Sequence, residues 1–208
     1  GRKNLIINGG FDVWQRGTSF TANTGYNADR FSVSANASTC DVTKQEFTLG
    51  QTEVPASNYN RWTVSGSSVD GAYVHVDQRV ENIKLFDAKV VTLSFWARAS
   101  AATQMGFEFV SNYDSSGEDN GDNHTPYNVG GFDLTTTWTK YSTTVTTTSL
   151  AGETLGANSR FICRFVPSTG STLAARWSGS LNFNGNVDLT NVQLEVGSVA
   201  TDFEHRSY

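Results

Sequence analysis

The stretch that most constrains this chain is Asn186 to Gly197, reading N-V-D-L-T-N-V-Q-L-E-V-G. Val187 and Leu189 follow one phase of a period-two alternation, and Val192, Leu194 and Val196 follow the other. Strict alternation marks a strand with one buried and one wet face, and the change of phase at Thr190-Asn191 is what a β-bulge produces. An extended tail, Ser198 to Tyr208 (S-V-A-T-D-F-E-H-R-S-Y), follows rather than another domain. A closing strand needs an open edge to pair with. The run Leu5-Ile6-Ile7 is the expected partner, so that the end of the chain meets its beginning.

The same periodicity recurs along the chain. Arg30–Ala35, Cys40–Phe47, Arg61–Ser65, Ala72–Val80, Lys89–Ala99, Met105–Tyr113, Trp138–Thr148 and Arg160–Val166 read as short strands. Asn4–Gly10 reads as another, ended by an Asn-Gly turn, and Thr172–Phe183 as a further strand or hairpin. Residues 18–29 and Leu49–Asn60 are loops, and Glu81–Asp87 is the one helical turn expected. Thr, Ser, Asn, Gly, Val and Phe dominate, whereas Lys, Leu, Met and Glu, which favour helices, are scarce. With only 3 prolines against 19 glycines, turns must rest on Gly, Asn and Asp. These elements predict an all-β, two-sheet antiparallel β-sandwich over residues 1–208, without repeat or linker. The opening Gly-Arg-Lys-Asn, in place of Met, suggests a fragment or C-terminal domain of a longer protein.

The formal charge of −5 comes with no basic run, which argues against a nucleic-acid partner. No apolar stretch approaches the length of a membrane span, and no signal-peptide pattern opens the chain. Cys40 and Cys163 are too few for a disulfide scaffold or a zinc site. Two buried free thiols are expected, with a disulfide between them as the alternative.

Alternation sets some rings and charges away from the aliphatic core. Tyr73, His75, Asp77 and Arg79 share one face of one strand; Trp96 and Arg98 share the corresponding face of another; Arg164 extends the set to a third. Were these strands neighbours in one sheet, the outer face would offer flat rings beside charged hydrogen-bonding groups. Sugars are bound that way, C–H face on a ring and hydroxyls on Asp, Arg or Asn. Two other readings stay open: a covering layer that simply packs these rings, or an exposed face without a ligand. The acidic loop of Asp114, Glu118, Asp119, Asp122 and His124 does not match the twelve-residue calcium loop and reads as a solvated segment. His75, His124 and His205 have no nucleophile motif nearby, and most acids fall in loops and turns, where solubility alone places them. Paired carboxylates brought together by folding would leave no local signature. The expectation is a non-catalytic domain.

Three stretches together carry a resemblance: N-L-I-I-N-G-G-F-D-V-W-Q-R-G-T-S-F at the start, V-V-T-L-S-F-W-A-R-A-S followed by W-T-K-Y-S in the middle, and N-V-Q-L-E-V-G-S-V-A-T-D-F-E-H-R-S-Y at the end. In this order the chain resembles a jelly-roll domain of tail-fibre and related structural proteins of tailed bacteriophages. It is similar, more loosely, to the jelly-roll carbohydrate-binding modules appended to polysaccharide-degrading enzymes. What the resemblance implies is a virion appendage, commonly a homotrimer, that attaches to host-surface polysaccharide beside other virion proteins. The alternatives it leaves are a carbohydrate-binding module of a hydrolase and a capsid decoration or head-spike protein. It also implies a structural calcium where first and last strands meet, at Asp12 and Asp188. Asp12 stands where the family usually has Glu, which shortens the reach. No other cofactor is expected.

Overall fold

The computed structural model describes residues 3–113 and 124–205. Among the described residues thirteen strands run β1 (Ser19–Phe20), β2 (Gly25–Tyr26), β3 (Phe31–Asn36), β4 (Thr39–Glu46), β5 (Asn58–Ser65), β6 (Tyr73–Val80), β7 (Val90–Ala99), β8 (Thr103–Asn112), β9 (His124–Asn128), β10 (Phe132–Leu134), β11 (Thr139–Thr146), β12 (Arg160–Thr169) and β13 (Asn184–Val196). A 3-10 turn, Ile83–Phe86, follows β6, and one short helix, α1 (Ser171–Trp177), precedes β13.

The strands form two antiparallel sheets. One has the order β1-β4-β5-β13-β7-β11; the other runs β10-β8-β12-β6-β3-β2, with β9 also paired to β8. The all-β jelly-roll sandwich expected from the periodicity and the resemblance is the fold observed. Its core is aromatic. Phe165 of β12 meets Phe95 of β7 at 5.4 Å, Phe107 of β8 at 5.0 Å and Trp62 of β5 at 5.9 Å, edge-on or tilted as ring quadrupoles favour. Cys40 and Cys163 face this core as free thiols, one on each sheet. Burial pushes Cys40 up to about 12 and Cys163 higher still, so both stay neutral and inert.

Three expectations need correcting. Residues 171–177 are helical, not extended: S-T-L-A-A-R-W has good helix formers, and its short apolar alternation fits either state. The closing strand does not fill an edge but lies in the middle of the six-stranded sheet, between β5 and β7. Residues 4–10 form no regular strand. They nevertheless continue the line of β5 along β13, as the Leu5 N–H donates to Leu194 O (2.8 Å) and the Val192 N–H to Gly9 O (2.9 Å). The approach is so close that a Cβ on Gly9 would lie 2.0 Å from Val192 O, which is why N-G-G stands here.

The bulge falls where the alternation changes phase. The β13–β7 register shifts between Thr190 and Gln193, with Asn191 in the left-handed region at φ 50°. Asn tolerates that conformation better than most residues. The extra residue keeps Val187, Leu189, Val192 and Leu194 in the core.

Candidate functional site

The six residues grouped by alternation do not form one surface. Tyr73, His75, Asp77 and Arg79 lie on β6 in the seven-stranded sheet, Trp96 and Arg98 on β7 in the six-stranded one. The two sets face away from each other across the sandwich. Period two reveals which side of a strand is wet, not which strands are neighbours.

On the seven-stranded sheet α1 is the covering layer. Trp177, 4 % exposed, meets Tyr73 and His75 edge-on at 5.8 and 5.9 Å, and Tyr73 stacks on His75 at 5.1 Å. Beneath them runs a buried ionic chain. Arg164, opposite Asp77 in register, donates Nε and Nη2 to the two Asp77 oxygens (3.1 and 3.2 Å) and Nη1 to Glu108 (2.8 Å). Arg176 of α1 closes the chain on Glu108 at 3.0 Å. Burial pushes the Asp77 carboxyl up, but the Arg164 charge and the adjacent His75 outweigh it and hold Asp77 far below the carboxylate range. These side chains tie helix to sheet. Tyr73, His75 and Asp77 are packed rather than presented.

The other outer face differs. Asp188 of β13 is held between two guanidiniums: Arg61 donates to both oxygens (2.7 and 2.9 Å) and Arg98 to one (2.9 Å). Arg98 also covers the Trp138 ring at 5.0 Å, and Arg61 the Tyr59 ring at 5.7 Å. The calcium expectation at Asp12 and Asp188 therefore finds no support in the donor set. The Asp188 oxygens are taken by cations, and Asp12 accepts from Asn58 Nδ2 at 2.7 Å with His205 Nδ1 3.4 Å away. Among the described residues no group of three or more His, Cys, Asp or Glu gathers to hold a metal. The acidic loop, except His124, lies outside the described residues.

Beside the Tyr59–Trp138 cluster opens a groove of about 430 Å³, lined by Trp96, Phe203, Asn191, Lys140, Asp202 and His205, with Pro55, Ser94 and Thr201 at its walls. Trp96 rises from β7, half-buried against the aromatic cluster. Phe203 comes from the tail, which β13 pins in place. Gln193 accepts the Glu204 N–H (2.7 Å), and Glu195 accepts the Thr201 hydroxyl (2.6 Å) and N–H (2.9 Å). Glu204 in turn accepts the N–H groups of Lys3 (2.7 Å) and Asn4 (3.1 Å). The Glu204 carboxyl is lowered by those N–H groups. For Glu195 burial raises the carboxyl, and the hydrogen bonds from Thr201 and Gln193, aided by Lys3, lower it further.

Asn191 is the unusual group in the groove. It is 3 % exposed; its Nδ2 donates to Pro55 O at 2.9 Å, while its buried Oδ1 has no partner. A buried acceptor left unpaired is costly, and such exceptions call for an explanation. Of the six residues grouped for sugar contact only Trp96 belongs to this groove. Phe203 and Asn191 were missed, although the phase change at Asn191 and the tail T-D-F-E pointed to both.

No protein-family model and no curated protein matches the chain in sequence. Among solved structures it is similar to a cyclase from Fischerella sp. TAU, at 11 % identity and a TM-score of 0.56, covering 97 % of this chain and all of that one (100 %). It is also similar to the enzymatically active domain of tailspike protein 4 of bacteriophage CBA120 (15 % identity, TM-score 0.52). That match covers 93 % of this chain and only 21 % of the tailspike chain. A third is the family 11 carbohydrate-binding module of a cellulosomal cellulase of Clostridium thermocellum, at 12 % identity and a TM-score of 0.50, covering 88 % and 97 %. At such identities the likeness defines the fold, which hosts binding and catalysis alike.

Proposed function

We propose that this chain is a non-catalytic carbohydrate-binding domain whose sugar lies in the groove between Trp96 and Phe203. One observation carries the reading: the groove is lined by Asn191, whose Oδ1 has no partner, beside two aromatic rings. A sugar hydroxyl supplies the missing donor, its C–H face the ring contact, and Lys140 and Asp202 further polar partners at the rim. The carbohydrate-binding module with this fold supports the same reading. Calorimetric titration with a panel of plant and bacterial polysaccharides tests it. Binding that Trp96→Ala abolishes, with the far-UV spectrum unchanged, is the expected result; a panel without a binder sinks the proposal.

A second reading specifies the setting. The terminal motifs resemble phage tail-fibre domains, and a tailspike domain shares the fold. They favour a virion appendage, trimeric and extracellular, that gathers weak glycan contacts into firm host attachment. Light scattering on the purified chain and binding to whole bacterial cells test this setting apart from the sugar itself.

A further inference from the structure

A second cleft shares no lining residue with the groove and has the opposite character. It encloses about 440 Å³ at one end of the seven-stranded sheet, where Arg30, Arg79 and Arg160 converge beside Tyr26, Glu81 and Ser159. Among the described residues three guanidiniums and one carboxylate line it, in a chain whose net charge is −5. An adjoining hollow of about 310 Å³ shares Arg30, Arg79 and Glu81, so these three stand between the two.

Arg79 is held in place rather than neutralised. Arg79 has a buried Nε that donates to nothing, and its Nη2 reaches only to 3.9 Å from Asp77. Asp77 is already engaged by both donors of Arg164. Arg30 meets the exposed Glu81 at 3.2 Å, from a backbone at φ 75°, a region that costs a side-chain-bearing residue energy and persists where the surroundings impose it. Arg160 is anchored through Nη1 on the Asn158 carbonyl at 3.1 Å. The Arg16 guanidinium lies 5.4 Å from the centre of the Tyr26 ring, one of the lining side chains. Positioned guanidiniums with unused N–H groups are built for a carboxylate or phosphoryl oxygen pair, which they bind in a forked geometry.

We propose that this cleft binds the anionic group of a ligand through Arg30 and Arg79. A carboxylate of an acidic sugar and a phosphoryl group present the same oxygens, and the probes separate them. Glucuronate, inorganic phosphate and neutral glucose are titrated into the whole chain, followed by calorimetry and amide chemical shifts. At the amides of this cleft, binding of either anion but not glucose, weakening with added salt, is expected. Glucuronate alone assigns an acidic sugar; phosphate alone assigns a phosphorylated ligand.

Arg30→Gly suits the left-handed backbone and removes the side chain with its guanidinium, so it keeps the fold and weakens anion binding by about tenfold or more. Arg79→Gln does the same where it folds. Asn191→Gly, in the other groove, leaves anion binding unchanged. No binding of either anion at millimolar concentration, amide shifts in this cleft moved equally by glucose, or full binding by Arg30→Gly overturns the proposal.

Discussion

Asn191→Gly separates function from stability at one position. In the free protein the Asn191 Nδ2 bond to Pro55 O contributes about 1 kcal/mol net. The buried, unpartnered Oδ1 costs roughly 1–3 kcal/mol, the penalty for a desolvated acceptor. Glycine gives up both terms and enters φ 50° without a Cβ clash, but it adds about 0.5–1 kcal/mol of unfolded-state freedom. The terms nearly cancel, so urea unfolding should place the variant within about 1 kcal/mol of the parent. Binding has no such cancellation. Losing a hydroxyl donor's bond to a buried acceptor, worth roughly 1–3 kcal/mol, weakens affinity about 5- to 150-fold by calorimetry. A variant that loses more than about 2 kcal/mol of stability while binding its polysaccharide normally refutes the reasoning. In that case Oδ1 belongs to the scaffold.

Other consequences are as direct. Gly9→Ala places a Cβ 2.0 Å from Val192 O, so the N-terminal segment must pull away from β13. Urea unfolding should show a loss of roughly 2–4 kcal/mol, and a loss under about 0.5 kcal/mol would contradict the close approach. The carboxyls of Glu195 and Glu204 lie below their ordinary value in the folded chain, so their hold on the tail is complete above about pH 4.3 and fades as pH falls through the folded values. Amide exchange at Thr201 and Glu204 should quicken at acid pH beyond its intrinsic change, and Glu204→Gln should weaken the tail already at neutral pH. Equal protection throughout would count against the clasp. Chelator or added calcium should leave Tm unchanged, because Asp188 serves Arg61 and Arg98. Those side chains are about a third exposed (28 % and 32 %). Asp188→Ala should therefore cost about 1–3 kcal/mol, less than a fully buried pair. A calcium-induced rise in Tm that vanishes in that variant would restore the metal.

Much of this architecture is legible in the sequence because alternation is a local property. β6, β7, β12 and the phase change in β13 follow from neighbouring residues alone, and so does the two-sheet class. Sheet membership does not, since it depends on which strands meet after tens or a hundred intervening residues. Tyr73 and Trp96 therefore look alike on paper and end on opposite faces. Residues 171–177 mislead for another reason: a short apolar run suits strand and helix equally, and α1 is decided by what it covers, the Arg164–Glu108 chain. The groove is the least legible part. Phe203 enters it only because Gln193 and Glu195 hold the tail, a relation between a strand's wet face and residues beyond its end.

The central place of β13 bears on how the chain is made. Until its residues leave the ribosome, the strands they will join exist as two pieces, β1-β4-β5 and β7-β11, each with an unpaired edge where β13 belongs. Open edges of this kind are templates for pairing with other chains. The sheet closes late, through contacts between distant parts of the sequence, and topologies of that kind fold slowly. Polar Thr and Ser residues along β11 and the charged Lys44 and Glu46 on β4 moderate the outer strands. At the central gap Arg61 and Arg98 stand ready, but their partner Asp188 comes only with β13. During synthesis the nascent chain relies on whatever shields that gap until its final strand arrives.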